Sequence, residues 1–250
     1  MSDVIAVIQA RVGSTRLPGK TLEVLYDKSL LGHILERIAA ARTVTRIVVA
    51  TTTSPLDAEL ASTAREFGAS LFRGSEHDVL DRFCQALQDV DQATVVRVTA
   101  DDPFKDPEIV DQAVNLHRDL GTDYCSNTIV PSFPEGLDIE VFTLAALRLA
   151  HRQALLQSER EHVTPFIWKR PDKFRLHNFT YTEDLSHLRW TIDYACDLGM
   201  AREVYRSLYP SKRIFLMRDI LALLNSHPEA FAGNENLPRN EGYLKSISKD

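Results

Sequence analysis

The chain has 250 residues, of which 44% are hydrophobic and 26% are charged, a balance typical of one folded globular domain. Its formal net charge is −6, which argues against general binding to nucleic acid, because that binding depends largely on Lys and Arg side chains that contact phosphates. No apolar run approaches the ~20 residues that a membrane-spanning helix needs. The N-terminus also lacks the pattern of a signal peptide, so we expect a cytoplasmic protein without a membrane partner.

The first half of the sequence alternates short apolar runs with amphipathic patterns. Three β-branched runs are predicted to form central strands: 4–8, 46–50 and 94–98. Three amphipathic patterns are predicted to form helices: 30–41, 54–67 and 109–120. This alternation indicates βαβ units and a mainly parallel sheet, an α/β fold in which ligands bind at the carboxyl ends of the strands.

The pattern changes after residue 124. Further strands are predicted at 138–142 and 188–192, and further helices at 158–168, after 188–192 through residue 208, and at 215–224. Because the sequence has no internal repeat and no low-complexity linker, we expect a single domain over 1–232. Within it, 124–188 would face a substrate or form a dimer contact, and 233–250 would be a loose polar tail.

The loop after the first strand, 10–20, concentrates positive charge in an acidic protein. It has three cations, two glycines and two hydroxyls, and it has no acid. Glycines let backbone N–H groups approach a phosphate and cations neutralise it, so the loop is typical of a triphosphate site. A solvated basic loop is the simpler alternative. A P-loop fits less well, because five residues separate Gly13 from Gly19 where that motif has four.

An acidic pair follows the third buried strand. Asp101 and Asp102 come directly after it and precede Pro103. Carboxylates at a strand's carboxyl end suit Mg²⁺, which prefers oxygen ligands. A turn or a helix cap is the alternative role for either residue.

The loop after the first strand and six later segments resemble a known family. Residues 9–20, QARVGSTRLPGK, are similar to the signature of the CTP-dependent cytidylyltransferases. Six further segments resemble the family in sequence order, over roughly the first four-fifths of the protein: RGSEHDVLDRF, RVTADDPFKDPEIVD, DYCSNT, FPEGLDIEVF, SEREHVTPFI and LRWTIDY. The spore-coat polysaccharide biosynthesis branch is the most similar, and the acylneuraminate and 3-deoxy-manno-octulosonate cytidylyltransferases are more distant.

The resemblance implies a fold, a cofactor and a reaction. The fold would be a Rossmann-like three-layer α/β/α nucleotidyltransferase fold with an inserted segment for dimerisation and acceptor binding, in a homodimer. The cofactor would be Mg²⁺. The reaction would be transfer of CMP from CTP to an acidic sugar, with release of pyrophosphate. A P-loop kinase or ATPase and a non-catalytic nucleotide-sugar-binding protein remain the alternatives.

The resemblance also implies roles for single residues. Arg11, Lys20 and Asp101 would act in catalysis, and Asp101 and Asp193 would bind the metal. The residues that would bind the nucleotide are Ala10, Arg11, Gly13, Ser14, Arg16, Lys20, Arg73, Ser75 and Thr99. Ser75 could instead cap a helix, and Asp197 is expected to cap the helix after Asp193. Relatives often have Asp-Cys-Pro where this protein has Asp-Asp-Pro, so the role of Asp102 stays open.

Five residues would contact the acceptor: Glu135, Asp138, Glu140, Arg160 and His162. The carboxylates could accept hydrogen bonds from sugar hydroxyls, and the basic residues could meet a negatively charged nucleophile. A nonulosonic acid, a 3-deoxy-octulosonic acid and a phosphonate all remain open as acceptors, because specificity lies in pocket shape and a few polar contacts.

Overall fold

The computed structural model describes residues 3–231 and 237–250. Its strands, in sequence order, are β1 (Asp3–Gln9), β2 (Val24–Leu25), β3 (Lys28–Ser29), β4 (Arg46–Thr52), β5 (Ser70–Gly74), β6 (Ala93–Thr99), β7 (Tyr124–Ser126), β8 (Glu140–Thr143) and β9 (Leu176–Asn178). Its α-helices are α1 (Leu30–Ala39), α2 (Leu60–Glu66), α3 (Val79–Ala86), α4 (Pro107–Leu120), α5 (Leu144–Gln153), α6 (Gln157–His162), α7 (Pro165–Trp168), α8 (Ala195–Leu208), α9 (Met217–Ser226) and α10 (Glu241–Ile247).

Seven of these strands form one mixed sheet in the order β5-β4-β1-β6-β8-β7-β9. The pairs β4–β5, β1–β4 and β1–β6 are parallel, whereas β8 runs antiparallel to β6 and β7. Gln9 pairs with Ala50 on one side and Thr99 on the other, so the carboxyl ends of β1, β4 and β6 meet at one edge. The mainly parallel sheet predicted from the apolar runs is therefore confirmed.

Both faces of the sheet are covered, which makes three layers. Along β1, Val4, Ala6 and Ile8 pack into one buried cluster, and Ile5 and Val7 pack into another on the opposite face. This alternation is the reason that the strand is apolar throughout, since successive side groups point to opposite faces of a sheet. The predicted three-layer α/β/α architecture is thus confirmed.

Two predicted helices are interrupted. Over 54–67, a 3-10 turn at Pro55–Glu59 precedes α2, and the Asp57 side chain in that turn is buried. Over 158–168, the backbone breaks between α6 and α7, where Val163 has a φ of 72° and Pro165 begins the second helix. A residue with a positive φ and a proline both end a regular helix, so the break at 163–165 follows from local backbone constraints.

The prediction of a strand at 188–192 is wrong, because this extended segment pairs with separate partners. The Glu135 amide donates to the Leu188 carbonyl at 2.9 Å, the Trp190 amide donates to the Glu135 carbonyl at 2.8 Å, and the Ile192 amide donates to the Asp101 carbonyl at 2.8 Å. Gly136 permits the close approach, since a Cβ there would lie 2.8 Å from the Trp190 carbonyl carbon. The segment thereby ties the 134–138 loop to the end of β6.

The prediction of a loose tail at 233–250 is also wrong for the part that is described. Residues 237–250 include α10, and the Asp250 carboxylate accepts hydrogen bonds from the Ser158 amide at 2.8 Å and from its hydroxyl at 2.5 Å. Residues 233–236 lie outside the described residues. Within 3–231 and 237–250, no helix is long and apolar enough to cross a membrane.

Candidate active site

A cavity of about 350 Å³ opens at the carboxyl ends of β1 and β6, where an α/β sheet normally binds its ligands. Gln9 and Thr99, at the ends of these two strands, both line it. Eight residues predicted to bind nucleotide, metal or acceptor share this lining: Arg16, Thr99, Asp101, Glu135, Asp138, Glu140, His162 and Asp193. The sheet therefore brings together groups that are up to 177 residues apart in the sequence.

The 10–20 loop is held in shape beside this cavity. The Val12 carbonyl accepts from the amides of Ser14 at 2.8 Å and Gly19 at 2.9 Å, and Gly19 adopts a φ of 78°. The Val12 amide donates to the buried Asp57 carboxylate at 2.8 Å. Burial raises the pKa of Asp57, but hydrogen bonds from Thr52, Val12 and Thr51 outweigh it and lower the pKa.

Two cations of the loop converge on two carboxylates. Lys20 Nζ lies 3.2 Å from Asp101 Oδ2 and 2.9 Å from Asp193 Oδ1, and it also donates to the Ile192 carbonyl at 2.6 Å. Arg16 Nη2 donates to the same Asp193 oxygen at 2.5 Å. Burial raises the pKa of Asp193, yet Lys20 and then Arg16 reverse this and lower it to about 2. The loop thus places two full positive charges at one end of the cavity.

Asp193 is fixed from its other side as well. Arg189 Nη2 donates to Asp193 Oδ2 at 3.0 Å, and the same guanidinium contacts Asp197 at 3.3 Å. Asp197 accepts from the amides of Asp193 and Tyr194, both at 2.9 Å, at the start of α8. The predicted helix-start role of Asp197 is confirmed, because a carboxylate satisfies N–H groups that have no partner within the helix.

Asp102, whose role was open, makes an internal ion pair. It is buried, it lies 2.8 Å from Lys105 Nζ, and it accepts from the Thr99 hydroxyl at 2.7 Å. Burial raises its pKa, and Lys105 partly offsets that effect. Lys105 also donates to the Asp138 carbonyl at 2.5 Å. The pair thereby braces the loop that carries Asp138 against the end of β6.

Glu135 and Asp138 also line the cavity and have charged partners of their own. Glu135 Oε2 accepts from Arg189 at 2.7 Å, and its Oε1 accepts from the Asn240 amide at 2.9 Å. Asp138 Oδ1 lies 2.5 Å from Arg239 Nη2. Burial raises the pKa of Asp138 to about 6, with Arg239 acting in the opposite direction. Arg239 therefore orients the Asp138 carboxylate, and the Asn240 amide helps to orient that of Glu135.

Glu140 and His162 form the next part of the lining. Glu140 accepts from Arg97, from the Tyr124 hydroxyl at 2.8 Å and from the Thr164 hydroxyl. Burial raises the pKa of Glu140, but these partners, Arg97 foremost, lower it overall. Burial and the charge of Arg97 lower the pKa of His162 to about 4. His162 is therefore neutral near pH 7 and can donate or accept a hydrogen bond without adding charge.

Several predicted site residues lie outside the cavity lining. Arg11 is part-exposed and pairs with Glu76 at 3.3 Å, and Arg160 pairs with Asp78 at 2.5 Å. Arg73 donates to the Thr52 and Ser54 carbonyls at 3.1 and 2.7 Å. The Ser75 hydroxyl accepts from the Asp78 amide at 3.0 Å, which places Ser75 in the N-cap region of α3, whose cap residue is Asp78. Ala10, Gly13, Ser14 and Lys20 belong to the loop beside the cavity.

Residues 239–243, here called the C-terminal segment, contribute to the site in a way that was not apparent from the sequence. Asn240, Glu241, Gly242 and Tyr243 all line the cavity. Glu241 Oε2 lies 3.0 Å from Arg16 Nη1, 225 residues away in the sequence. No periodicity or motif signals a contact over that separation, so the sequence offered only the polar character of this stretch.

The acidic groups at the cation end fit a divalent metal. Asp101 and Asp193 both contact the Lys20 ammonium, so the two carboxylates lie close together, and a metal held by both would take the place that the ammonium has in this structure. A hard cation needs few protein carboxylates when phosphate and water oxygens complete its coordination. Among the described residues, no group of three or more His, Cys, Asp or Glu could hold a metal ion.

Comparisons with known proteins agree with this geometry. A family model described as cytidylyltransferase matches residues 5–223. An uncharacterised protein of Methanocaldococcus jannaschii is 34% identical over 244 residues, which cover 96% of this chain and 97% of that protein. The spore coat polysaccharide biosynthesis protein SpsF of Bacillus subtilis is 33% identical over 242 residues, which cover 94% of this chain and 99% of SpsF.

Solved structures give the same result. A cytidylyltransferase from Leptospira borgpetersenii superimposes with a TM-score of 0.86 at 31% identity and covers 95% of this chain and 99% of its own. A CMP:2-keto-3-deoxy-manno-octonic acid synthetase in complex with CTP superimposes with a TM-score of 0.61 at 18% identity, over 82% of this chain and 99% of its own. The latter likeness is one of fold.

Proposed function

This chain belongs to the cytidylyltransferase family of nucleotidyltransferase enzymes, and from that premise we propose that it transfers CMP from CTP to an anionic sugar acid and releases pyrophosphate. One observation carries the proposal. Lys20 and Arg16 converge on Asp101 and Asp193 beside a cavity that is also lined by Glu135, Asp138 and Glu140. We infer that the loop cations bind phosphate and that the further carboxylates bind hydroxyls.

The cation end suits the triphosphate. Lys20 and Arg16 are held in place by buried or half-buried carboxylates before any ligand arrives. Preorganised positive charge is worth more in a site from which water is largely excluded, because it needs no reorganisation when the transition state forms. We infer that these two side chains neutralise the charge that develops as the bond between the α-phosphorus and the pyrophosphate oxygen breaks.

Asp101 and Asp193 would hold Mg²⁺ together with phosphate oxygens of CTP. The metal would neutralise phosphate charge and so favour departure of pyrophosphate. The loop amides at 10–20 and the side chain of Thr99 would position the nucleotide relative to these groups. The contribution of the protein is positioning and electrostatic stabilisation, and no covalent intermediate with the enzyme is required.

The further carboxylates of the lining suit a polyhydroxylated acid. Glu135, Asp138 and Glu140 would accept hydrogen bonds from sugar hydroxyls, while Arg97 and the neutral His162 offer donors to the acceptor. An acceptor hydroxyl gives up its proton to solvent and its oxygen attacks the α-phosphorus. A new P–O bond to CMP forms as the bond to the pyrophosphate oxygen breaks, and pyrophosphate leaves. Two matched relatives support a sugar acid as acceptor, since they are named 3-deoxy-manno-octulosonate cytidylyltransferase and 8-amino-3,8-dideoxy-manno-octulosonate cytidylyltransferase, although each aligns over less than half of this protein.

The test is pyrophosphate release with Mg²⁺ and each of CTP, UTP, ATP and GTP. Each nucleotide is combined with N-acetylneuraminate, legionaminate, 3-deoxy-manno-octulosonate or 8-amino-3,8-dideoxy-manno-octulosonate. We expect release with CTP and one acid, and none when the acid is omitted. Orthophosphate release from ATP or GTP without any acid would contradict the proposal and favour a kinase or ATPase.

A further inference from the structure

The C-terminal segment, residues 239–243, lies beyond the part of the protein that the family model matches, which ends at residue 223. Four of its residues nevertheless line the cavity. Its first residue, Arg239, reaches the Asp138 carboxylate at 2.5 Å and the Phe133 carbonyl at 3.2 Å. The segment is thus part of the cavity wall, and it reaches Asp138 through Arg239 and Arg16 through Glu241.

This segment is anchored at both ends. At its start, the Asn240 amide donates to Glu135 at 2.9 Å. Beyond it, α10 packs on α6, where the Ser246 hydroxyl donates to Glu161 at 2.8 Å and lies 3.0 Å from His162 Nε2. Anchors on both sides fix the backbone of 239–243, so its side groups hold defined positions in the cavity.

Aromatic rings form the wall that this segment shares with α6 and α7. The Tyr243 ring centroid lies 5.1 Å from that of His162 and 6.0 Å from that of Trp168, both in edge-on geometry. All three residues line the cavity. The Lys169 ammonium lies 5.5 Å from the Tyr243 ring centroid, which further fixes the ring.

The chemistry of this wall differs from that of the rest of the cavity. The carboxylates, hydroxyls and cations of the lining recognise polar groups, whereas the rings offer an apolar surface. A sugar acid has both characters, since its hydroxyls are polar and the C–H groups of its carbon skeleton are apolar. Aromatic residues in a pocket pack against such apolar portions, while a few polar groups fix orientation.

We propose that Tyr243 packs against the C–H groups of the acceptor and helps to determine which sugar acid is accepted, an inference that rests on the proposed function. Tyr243 is then a specificity-determining residue that the C-terminal segment adds to the family-matched domain. It contributes to binding of the acceptor and not to binding of CTP, whose triphosphate would lie at the Lys20 end.

The test compares Tyr243→Ala with two matched variants of the full-length protein. Tyr243→Phe keeps the ring, and Leu244→Ala truncates the adjacent residue of the same helix, which is 56% exposed and does not line the cavity. For each protein, KM is measured separately for CTP and for whichever of the four sugar acids the wild type uses. The melting temperature of each variant reports whether it is folded.

We expect Tyr243→Ala to raise KM for the acid about tenfold, which corresponds to loss of one aromatic contact, and to leave KM for CTP within about twofold. Tyr243→Phe and Leu244→Ala should stay close to the wild type. An unchanged KM for the acid in Tyr243→Ala, or an equal rise in both KM values, would overturn the inference alone. A wild type that releases no pyrophosphate with any nucleotide and acid would overturn the proposed function, and this inference with it.

Discussion

Replacing Lys20 with Met removes the ammonium that contacts both Asp101 and Asp193 and keeps most of the apolar length of the residue. The pKa of Asp193 is lowered from 3.8 to about 2, which corresponds to about 2.5 kcal/mol in favour of the charged carboxylate. Lys20 shares this effect with Arg16, so the variant should lose about 1–2 kcal/mol of unfolding free energy, less than the ~5 kcal/mol or more typical of a folded domain. It should therefore remain folded.

The loss of activity should be larger than the loss of stability. Removal of one preorganised charge that stabilises a transition state typically costs about 100-fold to 1,000-fold in rate. We expect Lys20→Met to lower kcat/KM for CTP by that factor, as measured by pyrophosphate release over a range of CTP concentrations. Lys212→Met is the matched control, because Lys212 is exposed and pairs with Asp219 at 2.6 Å on the surface, away from the cavity lining. A folded Lys20→Met enzyme with wild-type kcat/KM would refute the role of Lys20 at the triphosphate.

Three further predictions address the metal, the C-terminal segment and the pH dependence of stability. Asp101→Asn should keep its melting temperature, because the Asp101 side chain is 29% exposed. The variant should lose at least about 100-fold in the rate of CMP transfer, and retained activity with Mg²⁺ would exclude Asp101 as a metal ligand. Glu241→Gln should tighten CTP binding about twofold to fivefold in calorimetry, because it removes a partly exposed competitor for Arg16; weaker or equal binding would speak against that competition. Burial lowers the pKa of His33 from 6.5 to about 4. At a pH between these two values the unfolded protein therefore binds more protons than the folded protein does, and the free energy of unfolding falls as the pH drops through this range. His33→Gln should flatten this part of the curve in urea unfolding, and an unchanged slope would contradict the assignment.

The fold could be predicted from the sequence because its signals are local. The three continuous apolar runs became β1, β4 and β6, and the capping Ser or Asp with a following Pro marked where helical turns begin at 54–55 and 106–107. These patterns need only neighbouring residues, which a single sequence contains. The position of the cavity followed as well, since parallel strands place their carboxyl ends at one edge.

The phosphate-binding role of the loop after β1 was predicted from its charge, but the residues that hold its backbone in place were not. Asp57 holds the Val12 amide from 45 residues away and also accepts from the Thr51 and Thr52 hydroxyls. In the sequence, Asp57 resembles an ordinary acid in the first turn of a helix. Only the inward turn of its carboxylate at the end of β4 distinguishes it, and that direction depends on tertiary packing.

Two residues that were predicted to contact ligands instead make structural contacts with Asp78. Ser75 and Arg160, predicted to contact nucleotide and acceptor, both bond to Asp78 at the start of α3. Hydroxyls near a helix start and Arg–carboxylate pairs are common structural devices. A sequence does not separate such a device from a ligand contact, because both use the same residue types, and the pairing becomes visible only when α6 packs against α3.

The described stretch after residue 236, which includes the C-terminal segment, shows the largest difference between expectation and structure. Residues 237–250 are polar and lack amphipathic periodicity, yet Arg239, Glu241 and Tyr243 reach Asp138, Arg16 and Trp168. Each contact is a specific pairing between distant residues, which composition does not encode. The part of the cavity wall that residues 239–243 form therefore required the structure, whereas the loop cations and the carboxylates of the lining were predicted from the sequence.

The central claim is that the α-phosphorus of CTP is the atom transferred to the acceptor, and its most direct test follows that atom. The enzyme is incubated with Mg²⁺, a sugar acid from the panel and CTP labelled in either its α- or its γ-phosphorus. We predict that the α label enters an acid-dependent product with the mass of a CMP–sugar, and that the γ label leaves in pyrophosphate. Transfer of the γ label to the acid, or its release as orthophosphate, would contradict the assignment.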